Sequence, residues 1–205
     1  MERTDYNRVM EAQLEALSGR RPDLLLHVCC APCASSVLER LYEHFRIVLF
    51  YYNPNTHPEA EYEKRFGELP KLLRASGMED IDIIRGPYEP SDFYEAARGL
   101  EGEPEGGERC GACFSLRLSG TAREAKRLGI EHFCTTLSVS PHKNAGLINS
   151  VGSALASEEG LTWLYSDFKK KNGYLRSIEL CRQYEIYRQC WCGCSFSLAA
   201  GRKVQ

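Results

Sequence analysis

Long apolar runs are missing from this chain of 205 residues. None approaches the roughly eighteen consecutive apolar residues of a membrane-spanning helix, so no membrane span is predicted. Residues 1–21 are charged and have no apolar core, so no secretory leader is predicted and the chain reads as cytoplasmic. Internal repeats and linker-like segments are absent too, which predicts a single domain over residues 1–205. It would carry an N-terminal helical extension at 1–21 and a basic C-terminal region at 168–205. A large excess of charge of one sign is also lacking, the formal net charge being -2.

Cysteine, by contrast, is plentiful: there are ten. A chain of this length buries roughly 70% of the surface its unfolded form exposes, so it does not need disulfides to be stable. In a cytoplasmic protein the thiols then read as metal ligands or catalytic groups. The charge is unevenly spread. Residues 89–108 hold seven acids and one base, Arg98, whereas residues 169–205 hold eight bases and two acids. The basic quarter suggests an anionic partner on one face, and a solvated basic surface fits the same charges.

The apolar run at residues 24–28 leads directly into Cys29-Cys30-Ala31-Pro32-Cys33 and reads as a buried first strand. Helical spacing over residues 34–45 and a second apolar run at 46–52 make a strand-helix-strand unit. Its crossover is right-handed in nearly all proteins, which makes the sheet parallel. The second strand ends in a turn-rich loop at 53–58. A helix at 59–76 closed by Gly77, a strand at 81–84 and a short helix within 88–99, capped by Ser91 or Asp92, follow. Residues 100–108, glycine-rich and acidic, read as a mobile loop. A helix at 114–128, a strand at 132–137, a helix carrying Leu147, Ile148, Val151 and Leu155, a strand at 161–165 and a helix around 178–187 complete the alternation. The fold predicted is α/β, a parallel sheet with helices on both faces. Ligands of such sheets bind beyond the carboxyl ends of the strands, where the first cysteines lie.

Seven thiols fall into three groups: Cys29, Cys30 and Cys33; Cys110 and Cys113; Cys192 and Cys194. Each group is predicted to lie in a loop at the end of a strand or helix. Thiols spaced so tightly are poor disulfide partners within one loop but can share a metal. Cys134, inside a strand, and Cys181, on the apolar side of a helix, read as core. Cys190 stays ambiguous, two residues before Cys192. A structural zinc takes four ligands and leaves three thiols over. A [4Fe-4S] cubane also takes four, and the remaining three then suit a second, open metal site.

Together with Cys29-Cys30-Ala31-Pro32-Cys33, five further stretches carry a resemblance. They are Tyr52-Asn53-Pro54-Asn55-Thr56-His57-Pro58, Arg109-Cys110-Gly111-Ala112-Cys113, Thr135-Thr136-Leu137-Ser138-Val139-Ser140-Pro141-His142-Lys143, Asp167-Phe168-Lys169 with Gly173-Tyr174, and Tyr187-Arg188-Gln189 before Cys192-Gly193-Cys194. Over residues 24–197 the chain resembles the QueH family of epoxyqueuosine reductases. The resemblance implies a Rossmann-like fold similar to the adenine nucleotide alpha hydrolases. It implies cobalamin-independent reduction of epoxyqueuosine to queuosine at the wobble position of tRNA, with electrons from a donor that the sequence does not identify. It also implies a [4Fe-4S] cluster beside a mononuclear iron, carried by Cys29, Cys30, Cys33, Cys110, Cys113, Cys192 and Cys194. Many members of the family have Asp where this chain has Cys33, so Cys33 would supply a softer ligand.

Epoxide reduction needs a proton for the departing oxygen, and Asp167, His142, Tyr174 and His57 are candidates by loop position. His142, Lys143, Lys169, Lys170, Lys171, Arg176 and Arg188 form the expected tRNA-phosphate surface. Tyr51, Tyr52, Tyr174 and Trp191 are candidates to stack on an unpaired base, although most aromatics read as core. Two other readings remain. An iron-sulfur tRNA thiolation enzyme would need a glycine and serine phosphate loop for ATP, where this chain has cysteines. A zinc-bound nucleic-acid-binding module would hold zinc without sulfide.

Overall fold

The structure, a computed structural model, describes residues 4–199. Five parallel strands, β1 (Asp23–His27), β2 (Arg46–Tyr51), β3 (Asp82–Arg85), β4 (His132–Thr135) and β5 (Thr162–Trp163), form one sheet in the order β3-β2-β1-β4-β5. The chain builds outward from β1 to β2 and β3, then crosses to the other side of β1 for β4 and β5. The reversal lies between β1 and β4, so a crevice opens beyond their carboxyl ends. Register is set by apolar pairs such as Leu24 with Ile47 and Leu26 with Leu49.

β1 is buried on both faces, as expected of a central parallel strand covered by helices. Because strand side chains alternate, Leu24 and Leu26 pack into one core layer and Leu25 into the other. The first layer is filled from α1 (Tyr6–Ala16), α2 (Ala31–Leu41), α3 (Glu59–Ser76) and α7 (Gly173–Gln183). The second is filled from α5 (Glu108–Leu128) and α6 (Ala145–Glu159). A small third cluster joins Phe93 of α4 (Pro90–Ala96) and Phe196 of α8 (Ser195–Ala199) to Cys113, Cys192 and Cys194.

Several expected boundaries move. α2 starts at Ala31 and α5 at Glu108, so Cys33 and Cys110 sit in the first turn of a helix and Cys113 in the second, and not in loops. Pro32 suits a first helical turn, and in α5 the burial of Arg109, Cys113 and Phe114 outweighs the weak helix preference of Gly111. α4 starts at Pro90 with Glu89 as its cap residue, ahead of Ser91 and Asp92. β4 gives way at Thr136 to a 3-10 turn (Thr136–Val139), because the Thr135 hydroxyl accepts from the Leu137 amide. Residues 100–108, expected to be mobile, are pinned by the buried Arg109. Its Nη1 donates to the carbonyls of Leu100 (3.3 Å), Glu101 (2.8 Å) and Glu103. Arg202 and Lys203 of the basic region lie outside the described residues.

Trp163 closes the second layer. Its Nε1 donates to Asn149 Oδ1 (3.0 Å), which also receives the Ser166 amide (3.0 Å), so the indole has no room to move. A Cβ added at Gly152 would lie 2.4 Å from that ring. Gly152→Ala is expected to destabilise the protein by about 1–3 kcal/mol through overpacking, read as a lower urea midpoint with unchanged m-value.

Candidate metal centre

β1 delivers Cys29 and Cys30 to the crevice, and the first turn of α2 adds Cys33 beside them. Their three sulfurs lie within 4.8 Å of one another, with Cys29 Sγ 3.7 Å from Cys30 Sγ. The Cys29 amide donates to Thr136 Oγ1 (3.3 Å), which ties the loop after β1 to the turn after β4. α2 begins without a side-chain cap, and a helix N-terminus favours thiolate. Hydrogen bonds from Cys30 and then Cys33 hold the Cys29 thiol well below its usual range despite burial, with Lys143 and Arg117 adding to the effect. Burial, followed by the bond to Cys29, pushes Cys30 up to about 12. Cys33 is also raised, chiefly by its bond to Cys29. In this state the trio resembles one thiolate held by two thiols.

α5 places Cys110 and Cys113 three residues apart, on one helix face. The Gly106 amide donates to Cys110 Sγ (3.2 Å). Cys192 and Cys194 arrive from the far end of the chain and line the same cleft, of about 620 Å³, with Arg117 and Lys143. The hydrogen bond from Cys194 lowers Cys192 to about 5 and raises Cys194. A second cleft, of about 570 Å³, holds Cys33, Tyr174, Arg188, Gln189 and Trp191, and shares His142, Lys143 and Cys192 with the first. A wider cavity of about 1640 Å³ continues outward past His142 and Lys143 to Asp167, Lys169 and Lys170.

Two cations, the buried Arg117 and the half-buried Lys143, balance these sulfurs. Arg117, 3% exposed, donates through Nη2 to Asn53 Oδ1, while Asn53 Nδ2 donates to the Val28 carbonyl (2.9 Å). Burial opposes the Lys143 ammonium, yet Cys29, Cys33 and Cys192 outweigh that and raise it. His27, wholly buried beneath the site, is neutral. Burial, then the nearby Arg117, lowers it to about 3. Its Nε2 faces the Tyr52 carbonyl (3.1 Å), which can only accept, so Nδ1 accepts from the Thr135 hydroxyl (2.7 Å).

Cys29, Cys30 and Cys33 therefore form one group, while Cys110, Cys113, Cys192 and Cys194 line the first cleft, and Cys33 and Cys192 both line the second. Cys134 is buried in β4, Cys181 is buried in α7, and Cys190 is exposed. Among the proton-donor candidates, His142 lines all three cavities and Tyr174 lines the second cleft, its hydroxyl accepting from Arg188 Nη2 (3.1 Å). Asp167 lines only the outer cavity and is paired with Lys169 Nζ (2.6 Å). His57 is exposed and binds the Gly193 carbonyl through its amide (2.8 Å). Lys171 pairs with Glu11, and Arg176 with Glu39 (2.7 Å) and Glu179 (3.1 Å), away from the clefts. Tyr51 and Tyr52 are buried and cannot stack on a base, because their rings fill the core beside Tyr62 and Phe50.

Sequence reasoning missed Arg117, Arg65 and Glu61. Arg117 is a charged residue on a helix stripe that is otherwise buried, with Phe114, Leu118 and Thr121. A charge in that setting is a detectable signal, since an unpaired buried charge is costly.

A doubly wound parallel sheet with helices on both faces, and free thiols beyond the end of its central strand, defines a Rossmann-like α/β protein. The family pattern described as Epoxyqueuosine reductase QueH matches residues 24–200, and the chain belongs to that family of oxidoreductases. It is 41% identical over 201 residues to Epoxyqueuosine reductase QueH of Streptococcus pyogenes serotype M1, covering 96% of this chain and 79% of the relative. To that of Staphylococcus epidermidis it is 39% identical, covering 96% and 85%, and to that of Thermotoga maritima 34%, covering 88% and 92%. Among the described residues no helix is long and apolar enough to cross a membrane.

Lys143 favours the thiolates of both Cys29 and Cys192. In reduced, metal-free protein, Lys143→Gln is expected to move the onset of Cys192 alkylation to higher pH, because removing a cation disfavours the thiolate. Peptide mass spectrometry after timed iodoacetamide exposure measures this.

Proposed function

We propose that this protein converts epoxyqueuosine to queuosine in tRNA, using a [4Fe-4S] cluster and an adjacent iron. The observation that carries this reading is the set of free thiols in a QueH-family chain: Cys29, Cys30 and Cys33 within 4.8 Å of one another after β1, and Cys110, Cys113, Cys192 and Cys194 around one cleft. The donor set fits the two groups in number and kind, since thiolates suit iron-sulfur centres and seven ligands serve a four-thiolate cluster plus a three-thiolate iron with an open position. Cys29, Cys30, Cys33, Cys110, Cys113, Cys192 and Cys194 would hold them. When bound, they supply single electrons and a Lewis acid.

The overall change consumes two electrons and two protons, turns the epoxide into an alkene and releases one water. The chain's own residues provide the setting. Lys143 and Arg117 offset thiolate charge within the site. His142, exposed where all three cavities meet, is positioned to pass a proton from its imidazole to the departing oxygen, and the Tyr174 hydroxyl faces the same space from the second cleft. Asp167, engaged by Lys169 in the outer cavity, orients that lysine and is a weaker candidate for the acid. Lys169 and Lys170 offer two cations to the phosphates of a tRNA entering from that cavity, with Arg188 and Trp191 further in. An unidentified electron donor completes the cycle.

Protein purified without oxygen is expected to contain iron and acid-labile sulfide, both falling sharply in Cys110→Ser and Cys29→Ser. Zinc without sulfide would instead support the binding-module reading. With epoxyqueuosine-tRNA and a chemical reductant the native protein should form queuosine, detected by nucleoside mass spectrometry. Lys169→Ala with Lys170→Ala should weaken tRNA binding and reduce the slope of log affinity against log salt by about 0.7–0.9 per lysine. An unchanged slope would remove both from the tRNA surface.

A further inference from the structure

The segment that carries Cys192 and Cys194 has no regular structure of its own: residues 184–194 belong to no helix or strand. Its position depends on what grips it from outside: the His57 amide holds the Gly193 carbonyl (2.8 Å), Gln189 Nε2 reaches Cys30 Sγ (2.9 Å), and the most extensive hold comes from α3, a helix that contributes no thiol. Glu61, Lys64, Arg65, Glu68 and Lys71 recur at three- and four-residue spacing along one stripe of α3. Lys71 Nζ binds the Glu185 carbonyl, Glu68 Oε2 accepts the Tyr187 amide (2.7 Å), and Lys64 Nζ stands 3.4 Å from the Tyr187 ring centroid.

Arg65 is the centre of this stripe. Its side chain is only 2% exposed, and each arm of the guanidinium is used. Nε donates to Glu61 Oε1 (2.7 Å), Nη1 to the Cys192 carbonyl (3.1 Å) and Nη2 to the Trp191 carbonyl (3.2 Å). The guanidinium also lies 5.1 Å from the Trp191 ring centroid. Glu61 is held in turn by the Tyr187 hydroxyl, 3.2 Å from both carboxylate oxygens. Gly193 follows at φ +101, where a Cβ would come within 2.8 Å of Arg65 Nη1. Glycine at this position lets the backbone close onto the arginine.

We propose that Arg65, braced by Glu61 and Tyr187, is the positioning residue that holds the Cys192-Gly193-Cys194 turn against Cys110 and Cys113. The inference rests on reading the seven thiols as one working site. A planar fork that reaches a carboxylate and two successive carbonyls fixes both the place and the orientation of that turn. Lysine, a single point charge, cannot make all three contacts.

The test uses the full chain, reduced and metal-free, exposed to a short pulse of N-ethylmaleimide, with each cysteine quantified by peptide mass spectrometry. Arg65→Gln should speed modification of Cys192 and Cys194 at least about tenfold, while Cys134, buried in β4, stays protected. Tyr187→Phe should speed it by a smaller factor, and Arg65→Lys should restore less than half of the native protection. Arg85→Gln, which removes an exposed ion pair to Glu63, should change nothing. Native rates at Cys192 and Cys194 in a variant that keeps Cys134 protected would overturn the proposal, and so would equal acceleration of every cysteine. If Arg65→Gln exposes Cys134, Tyr187→Phe decides by the same criteria. Iron and sulfide per chain, measured after reconstitution, separate the two readings: a native protein that takes up no iron defeats the proposed function, while the alkylation result still judges the brace.

Discussion

Crowded sulfurs in a crevice of low polarity depend on positive charge held close to them. Any thiolate there has lost most of its water, so the field of nearby cations and helix N-termini decides which sulfurs ionise. Arg117 and Lys143 supply that field from α5 and from the loop before α6, and the starts of α2 and α5 add their dipoles. The outcome is uneven: Cys29 and Cys192 are the acidic members of their groups, while Cys30, Cys33 and Cys194 serve as donors to them. Cys110 and Cys113, raised mainly by burial, complete the wall.

The sheet explains why these groups meet. β1 and β4 are neighbours, yet more than a hundred residues separate them, and the chain reverses its direction of growth between them. Their carboxyl ends carry Cys29 and Thr136, linked by a hydrogen bond. The same opening admits α5 from one side and the tail from the other. The three cavities share His142 and Lys143 at their junction. Charge follows the same plan, because Lys170 and the Asp167-paired Lys169 line the outer cavity while Lys171 and Arg176 are engaged by acids elsewhere.

Much of the fold is legible in the sequence. The helix at Glu59–Ser76 with its glycine stop, the buried run of β1 and the parallel crossover all follow from periodicity and chain-reversal chemistry. The structure corrects the reading where local preference competes with context. Helices α2 and α5 extend back over Cys33, Cys110 and Cys113, because burial of their first turns outweighs local preference, that of Gly111 included. Tyr51 and Tyr52, plausible as stacking platforms by type, are consumed by the core. Residues 100–108 look mobile by composition, but a single arginine from the next helix ties their carbonyls down.

By itself the sequence determined the parts: an α/β alternation, seven thiols in three tight groups, the motifs that place the chain among the QueH epoxyqueuosine reductases, and a basic final quarter. Those properties are local, set by spacing and residue type. Only the tertiary structure decided which parts meet. Hydrogen bonds between residues far apart in sequence, such as Arg65 with the Cys192 carbonyl and Arg117 with Asn53, carry no local signature. Their partners are chosen by sheet order and helix packing, so the balance of charge around the sulfurs, and the hold on the tail that carries two of them, becomes visible only once the chain is folded.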